Sequence, residues 1–251
     1  MQKFDGRSAV VTGGAQGIGA AVARALVDAG IRVLIGDLDD DEGKRLAESL
    51  GEHARYRHLD VTDAKDWRAA LEESDEELGP LAILVNNAGI VDFHGVADEW
   101  PAQFRHVLDV NLYGPWLGMH SAAPILRRNG GGAIVNISST AGLTGYSGLG
   151  GYVASKWGLR GLTKAAALDF AEDGIRVCSV HPGPIRTPMT AGLGEEIVTS
   201  QPIPRFGDPA EVAAMVRFVA LEATYSTGSE FVVDGGATAG SVAISKGPNI
   251  R

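Results

Sequence analysis

Short β-branched runs alternate with longer amphipathic stretches along most of the 251-residue chain. The runs are apolar at nearly every position, which is typical of strands buried on both faces of a sheet. They predict seven strands, at residues 8–12, 32–37, 56–60, 82–86, 133–138, 176–181 and 229–234. The stretches between them predict helices at about 17–29, 41–50, 64–78, 99–129 (broken), 152–173 and 209–221. This alternation indicates parallel βαβ units, so we expect an α/β domain.

Two segments lack a regular pattern. Residues 184–207 contain several Pro and Gly residues between a predicted strand and a helix. A long connection at the carboxyl end of a strand is often a lid over a ligand site. Residues 241–251 are interpreted as a surface or subunit-contact tail. No repeat or low-complexity linker interrupts the sequence, so residues 1–251 are treated as a single domain.

The composition argues against several classes of function. A net charge of −9 and an isoelectric point near 5.1 disfavour nucleic acids and anionic membrane surfaces, since both partners need a basic face. No apolar run reaches the ~18 residues of a membrane span, and the amino-terminal residues lack a secretory signal, so a cytoplasmic location is expected. The single cysteine excludes an intramolecular disulfide. The six histidines are scattered, so no metal is expected.

A glycine turn follows the first predicted strand, in the run TGGAQGIG. The spacing Gly13-x-x-x-Gly17-x-Gly19 differs from G-x-G-x-x-G, but it allows the same close approach of backbone to a pyrophosphate at a helix amino terminus. A tight turn without a ligand is the alternative for the glycines alone. The next strand ends at Asp37, whose carboxylate can bind ribose hydroxyls and would repel a 2′-phosphate. Because Gln16 is uncharged and no Lys or Arg immediately follows Asp37, the pattern favours NAD over NADP.

Tyr152 and Lys156 stand four residues apart at the start of a predicted helix. Residues at this spacing share one helix face, about 6 Å apart at Cβ. Taken alone, the pair is equally well explained by an amphipathic tyrosine and a surface lysine. Further polar groups lie after predicted strands, in NNAG at 86–89, NISS at 136–139 and HPGPIRT at 181–187. Ligands of open α/β sheets bind at the carboxyl ends of the strands, where these groups are expected.

In this order and at these spacings, the motifs resemble those of single-domain short-chain dehydrogenases/reductases over nearly the whole chain. The resemblance is carried by TGGAQGIG, Asp37, Asp60, NNAG, Asn111, Ser139, YVASK at 152–156 and HPGPIRT. It implies a Rossmann-type, doubly wound α/β fold with a seven-stranded parallel sheet, helices on both faces and a single domain. Within the family, runs such as NISS, SVHPG and VVDGG are most similar to bacterial NAD-dependent 3α,20β-hydroxysteroid dehydrogenases.

The resemblance also implies catalytic roles. Ser139 would polarise the substrate carbonyl, and Tyr152 would be the general acid/base. Lys156 would bind the nicotinamide ribose and lower the tyrosine pKa. Asn111 would hold a water that continues the proton relay. His181 is interpreted as structural rather than catalytic.

The cofactor implied by the resemblance is NAD. Its expected contacts come from the glycine turn and the strand ends, and they are Gly13, Gln16, Gly17, Ile18, Gly19, Asp37, Leu38, Asp60, Val61, Asn87, Ala88, Gly89, Tyr152, Lys156, Pro182, Gly183, Ile185 and Thr187. Asp60 and Val61 would meet the adenine, and Ile185 and Thr187 the carboxamide. Members of the family form dimers and commonly tetramers, so a homotetramer is expected.

The pKa of tyrosine explains why a lysine belongs beside Tyr152. Its ordinary value is about 10, and a base near pH 7 therefore needs roughly 4 kcal/mol of extra stabilisation of the phenolate. A neighbouring ammonium and a positive nicotinamide ring can supply part of this energy. Two serines compete for the substrate, but adjacent side chains on a strand face opposite ways. The resemblance selects Ser139 over Ser138.

The segments expected around the substrate are largely apolar. They contain Val91, Phe93, Leu143, Tyr146, Leu149, Met189 and Leu193. We therefore expect an NAD-dependent oxidoreductase that interconverts a hydrophobic, uncharged secondary alcohol and its ketone, such as a hydroxysteroid or a cyclic or aromatic alcohol. The alternatives are an NADPH-linked 3-ketoacyl-carrier-protein-type reductase and a non-catalytic NAD-sensing module.

Overall fold

The computed structural model describes residues 6–98 and 100–240, so the predicted tail at 241–251 lies outside the described residues. The described part contains a seven-stranded sheet of β1 (Ser8–Thr12), β2 (Arg32–Asp37), β3 (Ala54–His58), β4 (Leu81–Asn86), β5 (Gly132–Ile137), β6 (Ile175–Pro182) and β7 (Glu230–Val233). All neighbouring strands are parallel, in the order β3-β2-β1-β4-β5-β6-β7. The predicted fold class is confirmed.

Helices connect the strands. They are α1 (Gly17–Asp28), α2 (Asp40–Leu50), α3 (Ala64–Glu73), α4 (Pro101–Leu108), α5 (Gly114–Arg128), α6 (Gly150–Asp169) and α7 (Pro209–Leu221). A π turn at Asp109–Tyr113 joins α4 to α5, which explains the predicted break within 99–129. Every helix of the described residues is too short or too polar to cross a membrane.

Two apolar cores cover the two faces of the sheet. The first packs α1, α2 and α7 against one face through side chains such as Leu26, Leu46 and Val216. The second packs α3, α5 and α6 against the other face, with Trp67 and Leu126 fully buried. Burial of large apolar side chains on both faces accounts for the continuous apolar strands in the sequence.

The strand order changes direction between β1 and β4, and this position creates the site. From β1 the chain winds outward to β2 and β3, then crosses back to β4 and continues outward to β7. The connections leave the carboxyl ends of β1 and β4 on opposite faces, so a crevice opens between them. The glycine turn lies after β1 and the NNAG run ends β4, at this crevice.

The predicted boundaries differ from the structure by a few residues. Strand β3 was predicted at 56–60 but spans Ala54–His58, because its register pairs His58 with the last residue of β2, Asp37. Asp60 instead caps the following turn, accepting hydrogen bonds from the backbone N–H and hydroxyl of Thr62, both at 2.8 Å. Helix α6 begins two residues before the predicted start, at Gly150.

Candidate active site

The glycine turn is shaped for close contact between chain segments. Gly13 and Gly17 have positive φ angles of 59° and 56°, a conformation that side chains with Cβ rarely adopt. A Cβ on Gly19 would overlap the carbonyl oxygen of Gly13. Gln16 precedes α1 without capping it through its side chain. The first turn of the helix therefore keeps backbone N–H groups available for an anion.

The NNAG run is fastened to this turn by side-chain hydrogen bonds. The amide of Asn87 donates to the backbone oxygens of Thr12 and Gly13, each at 2.9 Å. The hydroxyl of Thr12 accepts from the backbone N–H groups of Asn87 and Ala88, each at 3.1 Å. The backbone after β4 is thereby held beside the backbone after β1, and the crevice between them has one defined shape.

A cavity of about 330 Å³ fills this crevice. It extends from the glycine turn past the ends of β2 and β3 to the start of the predicted lid, and it is lined by Gly13, Gln16, Gly17, Ile18, Asp37, Leu38, Leu59, Asp60, Val61, Thr62, Asn87, Ala88, Gly89, Ile90, His106, Val110, Thr187, Pro188 and Met189. Asp37 and Asp60 are the charged carboxylates of this lining, and it contains no Lys or Arg. The cavity suits an extended ligand with hydroxyl groups near Asp37 and an anionic group near α1.

Gly89 links this cavity to the Tyr152–Lys156 pair. A Cβ on Gly89 would lie 3.2 Å from Oδ1 of Asn111 and 3.5 Å from Nζ of Lys156. Lys156 is 96% buried (4% exposed) and donates to the backbone oxygen of Ile137 at 2.9 Å. Its Nζ lies 5.5 Å from the ring centroid of Tyr152. The lysine therefore lies between the tyrosine and the cavity.

Burial changes the pKa values of both members of the pair. It lowers the pKa of Lys156 to about 8, so about nine-tenths of the side chain is protonated at pH 7. Burial raises the pKa of Tyr152 above its ordinary value, and the hydrogen bond with the side chain of Ser139 acts in the opposite direction. In the protein without a bound ligand, the phenol of Tyr152 is therefore protonated at neutral pH and can act as a proton donor.

The two serines that follow β5 contact different groups. The hydroxyl of Ser138 donates to the backbone oxygen of Lys156 at 3.3 Å, within the protein. The hydroxyl of Ser139 contacts Tyr152 and accepts a hydrogen bond from the backbone N–H of Ala141 at 3.1 Å. This agrees with the opposite orientation of adjacent side chains on a strand.

Asn111 clamps two segments from within the π turn. Its Oδ1 accepts from the backbone N–H of Ile90, and its Nδ2 donates to the backbone oxygen of the same residue, both at 2.8 Å. Nδ2 also lies 3.1 Å from the hydroxyl of Ser155. The side chain is fully buried. Its amide thus binds protein groups, and the water assigned to it stays a prediction.

Comparison with known proteins agrees with this geometry. The profile of a family described as Enoyl-(Acyl carrier protein) reductase matches residues 13–238. A 3-alpha-(or 20-beta)-hydroxysteroid dehydrogenase of Mycobacterium tuberculosis is 45% identical over 94% of this chain and 90% of its own length. The chain belongs to the short-chain dehydrogenase/reductase family. This family of oxidoreductases uses a nicotinamide cofactor.

Two further relatives in the family act on ring alcohols according to their names. A trans-4-hydroxycyclohexanecarboxylate dehydrogenase of Sinomonas cyclohexanicum is 41% identical over 92% of this chain and 93% of its own length. A cyclohexanol dehydrogenase of an Acinetobacter species is 40% identical over 94% of this chain and 96% of its own length.

The structure brings most of the predicted family site residues together. Among the expected cofactor contacts, the residues that do not line the cavity are Gly19, Tyr152, Lys156, Pro182, Gly183 and Ile185. Gly183 instead donates its backbone N–H to Val233 of β7 at 2.9 Å, and Ile185 is buried with only 4% exposure. Thr187, by contrast, lines the cavity.

His106 of α4 lines the cavity but was missed in the sequence, because nothing in a helical pattern marks which face meets a ligand. Residues 6–98 and 100–240 hold no cluster of three or more His, Cys, Asp or Glu side chains arranged for a metal ion.

Proposed function

We propose that the protein is an NAD-dependent dehydrogenase and ketone reductase that acts on a hydrophobic, uncharged secondary alcohol carried by a ring. One observation carries the proposal. The buried ammonium of Lys156 lies 5.5 Å from the ring centroid of Tyr152, whose hydroxyl meets that of Ser139, beside a cavity shaped for a dinucleotide. Such a set combines an acid/base group, its activating charge and a donor for the substrate oxygen.

Each side chain of this set has a distinct task. Ser139 donates a hydrogen bond to the substrate oxygen, where negative charge develops during ketone reduction. Tyr152 delivers the proton to that oxygen, and in the oxidation direction it removes the proton from the alcohol. Lys156 favours the phenolate through its charge and binds the nicotinamide ribose. The bound cofactor supplies the hydride acceptor or donor.

The residues of the cavity fit NAD. The glycine turn and the start of α1 would hold the diphosphate, Asp37 the adenosine ribose, Asp60 and Val61 the adenine, and Thr187 the carboxamide. Two carboxylates and no Lys or Arg in the lining would repel the additional phosphate of NADP. The same observation counts against the NADPH-linked reductase.

The substrate class follows from exposed apolar side chains in the segments expected around the substrate. Phe93, Tyr146 and Met189 are 55%, 40% and 45% exposed, which leaves apolar area for a ring to cover. Arg186 is a cation of the lid, but it is paired with Glu195 at 2.8 Å and stacked on Phe206 at 5.0 Å. The names of the three relatives support an alcohol on a ring, since each denotes a dehydrogenase of an alcohol on a cyclic skeleton, and the substrate named for the Sinomonas relative also carries a carboxylate.

The proposal includes a cytoplasmic homotetramer. Exposed aromatic rings on α5 and α6 support subunit contacts, because Trp116 and Trp157 are 42% and 45% exposed and Trp116 stacks between Tyr113 and His120. The buried free thiol of Cys178 suits a reducing compartment. Sedimentation analysis tests the assembly.

A direct test assays wild type and Tyr152→Phe with cyclohexanols, hydroxysteroids and their ketones, using both NAD(H) and NADP(H). We expect turnover with NAD(H), and a loss in kcat of at least about 100-fold in Tyr152→Phe, since the phenol transfers the proton. NADH binding, measured by fluorescence, should persist. Tyr225→Phe is the control, because Tyr225 is fully exposed. A Tyr152→Phe enzyme that keeps kcat within tenfold of wild type contradicts the proposal, and NADH binding without any turnover supports the sensing module.

A further inference from the structure

His181 lies on β6 with its imidazole ring against the backbone of Ser139. Its side chain is completely buried on β6. Nδ1 lies 3.0 Å from the backbone oxygen of Ser139, and Nε2 lies 2.8 Å from the hydroxyl of Ser179. A carbonyl oxygen can only accept, so Nδ1 carries the proton. In the neutral ring Nε2 is then an acceptor, and Ser179 donates to it.

The surroundings of His181 keep the ring neutral. Burial lowers its pKa, while the contact with Ser139 acts in the opposite direction. The charged groups that face it are Glu230, Arg160 and Lys156, and they have opposing effects. Neutrality allows one tautomer to serve both partners, so the imidazole is a rigid bridge between β6 and the end of β5.

The bridge lies where the backbone ladder between these two strands ends. Ser138 donates its N–H to the oxygen of Val180 at 2.8 Å. The next donor of a parallel ladder would be residue 182, which is proline and has no N–H. One residue beyond this break, the oxygen of Ser139 accepts from the backbone N–H of Gly142 at 2.9 Å and from Nδ1 of His181 at 3.0 Å. His181 thus supplies the last link from β6 to the chain at Ser139.

We propose that His181 is a positioning residue for the reaction, which holds Ser139 so that its hydroxyl meets Tyr152 and the substrate oxygen. The inference rests on the proposed function. Ser139 is in extended conformation, with φ −169° and ψ 166°, at the point where the chain leaves the sheet. Its carbonyl is held by His181 and Gly142, and its hydroxyl accepts from Ala141. Hydrogen-bond donors act on a developing charge only when their placement is accurate.

Two substitutions of similar polarity distinguish a role of His181 in positioning Ser139 from a general effect of placing a polar side chain in the core. The amide nitrogen of Asn can occupy about the place of Nδ1, whereas that of Gln can reach only about the place of Nε2. His181→Asn therefore keeps a donor for Ser139, and His181→Gln loses it. We expect kcat of His181→Asn within threefold of wild type, and kcat of His181→Gln at least tenfold lower. NADH affinity should change less than twofold in both.

A double substitution tests the same idea without leaving an unpaired polar group in the core, which could unfold the protein. Ser179→Ala with His181→Leu removes both partners of the buried Nε2 hydrogen bond and leaves no hydroxyl unpaired at this contact. We expect it to stay folded and to lower kcat at least tenfold. Cys178→Ala is the control on the same strand, since its thiol lies against the oxygen of Ser226, and its kcat should stay within twofold of wild type.

The decisive comparison repeats His181→Gln in a Ser139→Ala background, at high enzyme concentration. If His181 acts through the Ser139 hydroxyl, the second substitution changes the residual kcat less than twofold. An equal loss of kcat in both backgrounds, or in both His181→Asn and His181→Gln, overturns the inference while the proposed function stands. If Ser139→Ala alone keeps the kcat of wild type, the proposed function fails and the inference fails with it.

Discussion

Replacing Lys156 with methionine should abolish turnover and yet stabilise the cofactor-free protein at neutral pH. The lysine is buried and its pKa falls from 10.5 to about 8. At 1.36 kcal/mol per pH unit, this difference corresponds to about 3 kcal/mol of lost stability while the group is charged. Loss of the hydrogen bond to Ile137 costs about 1–2 kcal/mol. The net gain in the free energy of unfolding is therefore about 1–2 kcal/mol at pH 7.

The sign of the pH dependence makes this prediction specific. Between pH 8 and 10.5 the unfolded lysine holds its proton and the folded lysine has lost it, so stability rises with pH in this window. Below about pH 8 both forms are protonated, and the penalty is fully present. The stability of Lys156→Met relative to wild type should thus fall by about 2–3 kcal/mol between pH 7 and 10.5, so that its advantage disappears or reverses at the upper end.

Urea unfolding at fixed protein concentration measures both effects. Comparison with Lys156→Met isolates the lysine, because every other ionisable side chain is common to the two proteins. Lys65→Met is the control, because Lys65 is exposed on α3 and its removal relieves no burial. A stability difference between wild type and Lys156→Met that stays constant from pH 7 to 10.5 would refute the reasoning. So would a Lys156→Met protein that is less stable than wild type at pH 7.

Two further predictions concern the cofactor. Gly19→Ala would bring a Cβ onto the carbonyl oxygen of Gly13, so we expect at least 100-fold weaker NADH binding in a fluorescence titration. Gly145→Ala, which adds a Cβ in open space, should bind NADH as wild type does. Asp37→Ser should raise the ratio of kcat/KM for NADP to that for NAD at least tenfold, because a negative charge near the 2′ position is removed. Unchanged NADH affinity in Gly19→Ala, or an unchanged cofactor preference in Asp37→Ser, would contradict the cofactor contacts assigned to these residues.

The sequence predicted the elements of the fold because its five inner strands are largely buried on both faces. Every predicted strand is present, and the ends differ by no more than two residues. The edge strand β3 differs most, since its end depends on pairing with β2 at Asp37. The apolar pattern could not predict the order of the strands in the sheet, because an apolar run of five or six residues does not specify which strand it will pair with.

The site shows the same division between local pattern and tertiary pairing. The Tyr152–Lys156 spacing and the glycine turn are local, and they could be read from the sequence. The partner of His181 depends on the register of β5 and β6, which pairs Ile137 with Val180 and so sets Ser139 within reach of the ring. The clamp formed by Asn111 depends in turn on the π turn, and the sequence predicted only a break there.

Burial by itself leaves the acid/base group in the form needed for ketone reduction. It raises the pKa of Tyr152, and Lys156, with a pKa of about 8, is mostly charged below that pH. The neutral nicotinamide ring of NADH adds no positive charge, so the phenol should stay protonated in the NADH complex. We therefore expect kcat/KM for a ketone to be flat from pH 6 to 8, when it is measured at saturating NADH. A tenfold fall per pH unit within this range would mean that Tyr152 ionises near neutrality in the NADH complex, and that the charge of Lys156 outweighs the effect of burial on the pKa of Tyr152.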